Sequence, residues 1–292
     1  MSSHSYFQLD VFCHRPGGGN PLGVVVAADD WSSEAMQAFA RWTGLVETTF
    51  LLAPTTPDAS YRVRIFTPQR EIAFAGHPSI GSAHAVLEAG IAVPRDGRLV
   101  QECQAGLLPV RVEGDGNARQ LSVQSPAARV LDRGLDAHPL LAGILQGIPL
   151  GALPPAFVEG GRRWWLAEFA EESALRAWQP EHAAIGALAR ASDSLGLCAF
   201  ARSTGGESGL CVRAFPAGVG IIEDPASGAA NGLIGAWIAA AEPQGPLARG
   251  YTVSQGREIG HDARIVVRID DDGAVWVGGR TGTILEGVVR WV

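Results

Sequence analysis

Two short stretches, Gly76-His77-Pro78-Ser79-Ile80-Gly81-Ser82-Ala83 and Glu223-Asp224-Pro225-Ala226-Ser227-Gly228-Ala229-Ala230, decide how this chain is read. At one constant offset His77 aligns with Asp224, Pro78 with Pro225, Gly81 with Gly228 and Ala83 with Ala230. Each stretch follows an apolar run, Ile72 to Ala75 or Val219 to Ile222, and opens an alanine-rich segment of helical character. The pattern predicts strand, tight turn and helix start, twice. A polar residue with proline behind it is a cap signature, so helices are expected to start at Pro78 and Pro225. An unobstructed helix N-terminus attracts anions. Two of them in one chain suggest a duplicated fold with a carboxylate-sized site between its halves.

Working outward, Arg64-Ile65-Phe66 and Arg213-Ala214-Phe215 precede the two turns at similar distance, so the repeat extends beyond the turns themselves. At 292 residues the chain suits two domains of roughly 150 residues each. The break is expected near residues 114–130, around the Gly114-Asp115-Gly116 turn. Strand-length runs such as Tyr6 to Phe12, Leu22 to Ala27, Leu45 to Leu52 and Tyr61 to Phe66 outnumber helical ones, and an early helix is expected from Ser32 or Ser33. The absence of regular βαβ alternation argues for an α+β fold with strongly curved antiparallel sheets.

Composition narrows the chemistry. Hydrophobic residues at 47% and charged residues at 18% describe an ordered globular chain. A net charge of −7 and a pI near 5.5 leave no basic footprint for nucleic acid. All 23 Lys+Arg residues are arginine, which excludes a lysine Schiff base, a pyridoxal phosphate linkage and a P-loop lysine. Cys13, Cys103, Cys198 and Cys211 show neither zinc-ligand spacing nor a disulfide framework, so no metal is expected. The first residues carry no basic and apolar leader pattern, and no apolar run is long enough to span a membrane; a cytoplasmic protein without membrane partners is expected.

Glu47 interrupts the apolar and β-branched run Leu45-Val46-Glu47-Thr48-Thr49-Phe50-Leu51. Burial among apolar neighbours would suit it to proton transfer near neutral pH, whereas strand alternation would simply turn it to solvent. His77 and Asp224 read either as helix caps and nothing more or, being duplicated, as equivalent groups facing one ligand. Glu223 reads as a peripheral charge. The Gly19-Asn20-Pro21 turn and Gly256 allow close backbone approach to a ligand. Asp270-Asp271-Asp272-Gly273 reads as a solvated hairpin turn, being too short and wrongly spaced for a calcium loop.

Taken in order along the chain, Gly19-Asn20-Pro21, Glu47-Thr48-Thr49-Phe50, Ile65-Phe66-Thr67-Pro68, Phe74-Ala75-Gly76-His77-Pro78-Ser79-Ile80-Gly81, Glu223-Asp224-Pro225-Ala226-Ser227-Gly228 and Gln255-Gly256 resemble the PhzF-like family of phenazine-biosynthesis isomerases, within the diaminopimelate epimerase superfamily. The resemblance implies two similar domains, each a curved sheet or barrel wrapped around a central helix, with the active site in the interdomain cleft. The domains would span 1–118, completed by a strand at about 282–292, and 119–281. It implies an isomerase without metal or cofactor that moves a proton between carbons of a small carboxylated substrate, trans-2,3-dihydro-3-hydroxyanthranilate in the family's phenazine enzyme, and a homodimer. Catalysis would fall to Glu47, with His77 and Asp224 binding and polarising substrate. Gly76, Ser79, Ser227, Gly228 and Ala229 in the two turns, with Asn20 and Gly256, would contact substrate.

Departures from the family pattern bear on substrate. The superfamily's epimerases use paired cysteines, where this chain has Gly76 and Asp224, which disfavours a two-thiol racemase. Serines common in the phenazine enzymes are Val46 and Ala229 here, and the segment after Gln255-Gly256 runs to Gly260-His261. An epimerase or racemase of a small amino or hydroxy acid, and a catalytically silent binding protein, stand as alternatives.

Overall fold

The computed structural model describes residues 3–205 and 208–291. The chain divides into two compact units, one made of residues up to Gln124 together with those from Gly278, the other of Ser125–Val277. The first holds β1 (His4–Val11), β2 (Asn20–Val25), α1 (Ser33–Thr43), β3 (Thr48–Leu52), β4 (Tyr61–Phe66), β5 (Glu71–Ile72), α2 (Gly76–Glu88), β6 (Arg98–Cys103), β7 (Gly106–Glu113) and β8 (Gln120–Gln124). In the second come β9 (Arg129–Arg133), α3 (Pro139–Ile144), β10 (Ala156–Gly160), β11 (Arg162–Phe169), α4 (Glu172–Ala177), α5 (His182–Ser192), β12 (Leu197–Arg202), β13 (Leu210–Phe215), α6 (Gly228–Ala241), β14 (Gly250–Gln255) and β15 (Ala263–Ile269). After β16 (Val275–Gly279), β17 (Thr281–Val289) returns to pair with β1 of the first unit.

The duplication is visible in the order of strand pairing. In the first unit β1–β2 is antiparallel, β2–β3 parallel, β3–β4 antiparallel, β4–β6 parallel and β6–β7 antiparallel. The second repeats that series through β10–β11, β11–β12, β12–β13, β13–β14 and β14–β15. The sheets are therefore mixed, where composition and alternation alone suggested antiparallel ones. A parallel pair needs a long crossover, and the helices supply it: α1 links β2 to β3, α2 lies between β4 and β6, α4 and α5 link β11 to β12, and α6 links β13 to β14.

α2 is the central helix of its unit. Its contacts run to β1, β2, β3, β4, β6, β7, β8 and β17, and every residue from His77 to Val86 is buried. A helix buried all round cannot carry an amphipathic stripe, which is why small residues dominate it. A Cβ on Gly81 would lie 2.4 Å from Leu22 Cδ2 and 3.0 Å from Val11 Cγ2, so only glycine lets the helix sit this close to β1 and β2. α6 packs likewise against β10, β11 and β15. The outer helix α1 is ordinary by contrast. Ser32 caps it by accepting from the Ala35 amide, and Met36, Phe39 and Ala40 face a core of Trp31, Phe50 and Phe66. In the second unit α5 buries Ile185 and Leu188 against Trp165, Phe169 and Phe215.

Candidate active site

Glu47 lies in the connection between α1 and β3, and the strand begins one residue later, at Thr48, rather than at Leu45. Gly44 closes α1 in the left-handed conformation at φ 66°, and residues 45–47 are spent reaching the sheet. The solvent-facing alternative for Glu47 does not hold. Its side chain is 13% exposed, and Oε2 sits 3.5 Å from Nε2 of His77, itself 8% exposed. His77 does not cap α2. The helix begins at Gly76, Ala75 occupies the cap position without a side-chain bond, and His77 stands inside the first turn. Burial pushes the imidazole pKa down to about 3, against a bond to the Pro21 carbonyl that favours the charged form. The ring is therefore neutral at physiological pH, and its approach to Glu47 is a contact between carboxyl and imidazole rather than an ion pair. Asn20, the neighbour of Pro21, is fully buried at the start of β2, opposite Val11.

Asp224 is placed differently. Its backbone N–H donates to the Ala214 carbonyl at 2.9 Å, and Oδ1 accepts from the Ala226 amide at 3.3 Å, an Asx turn. It is not the cap of α6. That helix starts at Gly228, and Ser227 caps it by accepting from the Ala230 amide at 3.4 Å. The expected helix start at Pro225 thus moves three residues along. The Asx bond at Asp224 holds Pro225 ahead of the helix, and Ser227 takes the cap. α2 accommodates Pro78 because a proline in the first turn lacks only an N–H that has no intrahelical partner there.

The other predicted residues divide into those that are used up and those that are available. Ser79 is fully buried; its hydroxyl donates to the Ala75 carbonyl at 2.9 Å and accepts from Gln101 Nε2 at 3.0 Å, so it serves the helix start. Ser227 is likewise committed to capping. Gly76 occupies the first position of α2, while Gly228 and Ala229 occupy the first two of α6, where backbone amides point outward from the helix end. Ala229 is exposed. Gly256 has φ 90°, and a Cβ there would lie 2.6 Å from the Pro225 carbonyl oxygen, so glycine is required for it to pack against the Asp224 turn.

Glu223 needs correcting from a peripheral charge to a buried one. Arg213 grips it with Nε to Oε1 at 3.0 Å and Nη2 to Oε2 at 2.8 Å, both side chains being 4% exposed. Arg213 also donates to the carbonyls of Leu175 and Trp178 and lies over the Phe215 ring, 5.1 Å from its centroid. Sequence reasoning also passed over Gln101 and left Gln255 without a role. A signal was present: alternation puts Gln101 on the face of Leu99, and Gln255 on that of Tyr251 and Val253.

Chemically, a shielded carboxyl group beside a neutral imidazole can accept a proton from carbon and return it. The Cys13 thiol is less suited: burial and the nearby Asp10 carboxylate push it up to about 11. Among the described residues no three His, Cys, Asp or Glu side chains gather so as to hold a metal ion, and no helix is long and apolar enough to cross a membrane.

The sequence model of the PhzC-PhzF family, described as phenazine biosynthesis-like protein, matches residues 9–287. The chain is 33% identical to Antisense-enhancing sequence 1 of Schizosaccharomyces pombe, over 98% of this chain and 99% of that one. It is also 33% identical to a trans-2,3-dihydro-3-hydroxyanthranilate isomerase of Pseudomonas aeruginosa, covering 97% and 98% of the two chains. The crystal structure of a PhzF-family phenazine biosynthesis protein from Bacillus anthracis superposes with a TM-score of 0.84 at 25% identity, covering 99% of this chain and 100% of that one. With the duplicated pairing order, the two wrapped helices and a match over nearly its whole length, the chain belongs to the PhzC-PhzF family of phenazine-biosynthesis-like proteins.

Proposed function

We propose that the chain is a cofactor-independent isomerase that moves a proton between two carbons of a small carboxylated substrate, with trans-2,3-dihydro-3-hydroxyanthranilate the best single candidate. The observation that carries this reading is the contact between Glu47 and His77, 3.5 Å apart and shielded from water. Its support among relatives is the name of the Pseudomonas aeruginosa isomerase.

In this reading the Glu47 carboxylate takes a proton from one carbon of the substrate, leaving the electron pair delocalised over the conjugated system. The same carboxyl group then returns the proton to a second carbon, and the double bonds shift with no net change in composition. His77, kept neutral by burial, presents a polar ring without adding positive charge that would hold Glu47 ionised. Outward-pointing amides at a helix N-terminus provide preorganised donors for a substrate carboxylate and for the charge that develops on deprotonation. Asp224, by the family resemblance, orients polar groups of the substrate.

A proton NMR time course in deuterium oxide tests the assignment. Wild-type enzyme should wash solvent deuterium into the substrate as its double bonds move, and Glu47→Gln should slow this by about 10²- to 10⁴-fold. Exchange at the wild-type rate in Glu47→Gln would remove Glu47 from the mechanism. Inversion of a stereocentre with the double bonds in place would favour an epimerase. Tight binding of carboxylated candidates without any exchange would favour the silent binding protein.

A further inference from the structure

Each unit carries a buried glutamine that the proposed chemistry leaves unused. Gln255, at the end of β14, is fully buried. Its Oε1 accepts from Asn231 Nδ2 at 2.9 Å and from the Ser227 amide at 3.3 Å, while its Nε2 donates to the Asp224 carbonyl at 2.9 Å. Asn231 Nδ2 also donates to the Ser227 carbonyl at 2.8 Å, which fixes which end of each amide faces which partner. Gln101, on β6, is fully buried too; it donates to Ser79 Oγ at 3.0 Å and accepts from the Tyr61 hydroxyl at 3.2 Å. β6 and β14 hold equivalent places, each the parallel partner of the strand that carries the Arg-x-Phe sequence. The fold therefore sets a glutamine from the strand after the central helix onto that helix's first turn, in both units.

An apolar side chain would fill such a position without having to satisfy buried donors and acceptors. In the second unit the retained amide does something no apolar residue can. The chain bends at Pro225, between Asp224 and Ser227 and just ahead of α6; a closed turn over these four residues would carry a bond from the Ser227 amide to the Asp224 carbonyl. Here the glutamine amide is inserted between those two groups, accepting from Ser227 and donating to Asp224. The Asp224 carboxylate is in turn oriented by the Ala226 amide inside that bend.

We infer that Gln255 is a positioning residue for Asp224: by bridging the ends of the Asp224–Ser227 bend, it sets the direction of the Asp224 carboxylate and holds the Gly228 and Ala229 amides at the open end of α6. The inference rests on the reading that Asp224 acts on substrate. Gln101 is its counterpart at the start of α2.

Two substitutions of nearly constant volume test it. Gln255→Leu removes all three bonds, to Asn231, Ser227 and Asp224. Gln255→Glu removes only the donor while ionised and restores it once protonated, and burial raises the pKa of such a carboxyl into an accessible range. With trans-2,3-dihydro-3-hydroxyanthranilate as substrate, Gln255→Leu should lose at least about tenfold in kcat/KM at every pH. Gln255→Glu should lose as much at pH 8 and recover toward wild type by pH 5. Independently of turnover, hydrogen exchange at the Ser227 amide should accelerate at least about tenfold in Gln255→Leu, and the Asp224 side-chain carboxyl carbon resonance should shift. Unchanged Ser227 exchange and an unchanged Asp224 resonance in folded Gln255→Leu would overturn the inference, as would a loss in Gln255→Glu that does not vary with pH. Should Gln255→Leu fail to fold, the pH comparison within Gln255→Glu decides. Should wild type prove inert on this substrate, the substrate assignment fails, and the exchange and resonance measurements still judge the positioning role.

Discussion

The two units solve one local problem with the same parts and then diverge. In each, the arginine of the Arg-x-Phe strand grips a glutamate in the segment leading to the central helix and lies over a phenylalanine two residues on. Arg64 holds Glu71 with bonds of 2.8 and 2.7 Å and Arg213 holds Glu223 with bonds of 3.0 and 2.8 Å. Both guanidinium carbons stand 5.1 Å from their ring centroids. Beyond that point the first unit runs straight into its helix with His77 in the first turn, whereas the second makes a separate Asx turn at Asp224 and starts its helix at Gly228. Duplication has preserved the scaffold and released the turns, so a neutral imidazole and a carboxylate occupy positions that began as equivalents.

Depth of burial is where the shared parts differ, and it supplies the largest expected effect on stability. The Arg64 and Glu71 side chains are each 19% exposed, and those of Arg213 and Glu223 only 4%. Removing one partner of a buried pair strands the other in a poor solvent, so Arg213→Met should cost about 3–5 kcal/mol in urea unfolding. Arg64→Met should cost about 1–2 kcal/mol, since water reaches Glu71 and replaces part of what is lost. Equal costs would mean that the two grips are energetically equivalent and that exposure is not what separates them.

The imidazole gives the first unit an acid sensitivity of its own. His77 has a folded pKa of about 3 and an unfolded one near 6.5. Between those values the unfolded chain binds the extra proton, so the contribution of neutral His77 is fully present above pH 6.5 and is lost as the pH falls toward 3. The expected slope is at most about 1.4 kcal/mol per pH unit. His84, also held down by burial, adds to the wild-type slope with the same sign. The informative comparison is therefore wild type against His77→Gln, whose unfolding free energy should fall less steeply from pH 6.5 to 4. Parallel curves would show that the ring is not held neutral by the fold.

How far these features can be read in sequence follows from their range. The repeat, the family motifs and the strand carrying Arg64 or Arg213 are local patterns, and they locate both central helices. Four things are not legible. Where α6 begins depends on Ser227 rather than Asp224 finding the amide of its third neighbour, a competition between two caps that a string of residues does not settle. Glu223 looks like any charge beside a turn until Arg213, on a different strand, is brought to it. Gln101 and Gln255 lie on the buried side of alternating strands, but what they bond is fixed only when β6 and β14 pair beside the helices. The approach of Glu47 to His77 belongs to the same class, since the contact joins a loop to a helix thirty positions further along the chain.

The smallest expected effect bears on the helix starts themselves. α6 has a side-chain cap and α2 has none: Ser227 accepts from the Ala230 amide, while Ala75, at φ −152° and ψ 146°, holds cap geometry without a group to offer. Ser227→Ala should cost about 1 kcal/mol. The converse change, Ala75→Ser, puts a hydroxyl where the backbone already has the conformation a cap needs, but its third neighbour is Pro78, which has no N–H, so only the His77 amide is left to it and the gain should be at most about 0.5 kcal/mol. That gain has a functional side. A capping hydroxyl would compete for the His77 amide, which otherwise faces outward from the first turn of α2, so Ala75→Ser should raise thermal stability slightly while weakening binding of a carboxylate ligand. A stabilised variant with unchanged carboxylate affinity would mean that the uncapped end of α2 is only a tolerated defect. A stabilised variant with weakened affinity would mean that the missing cap is what keeps that amide available.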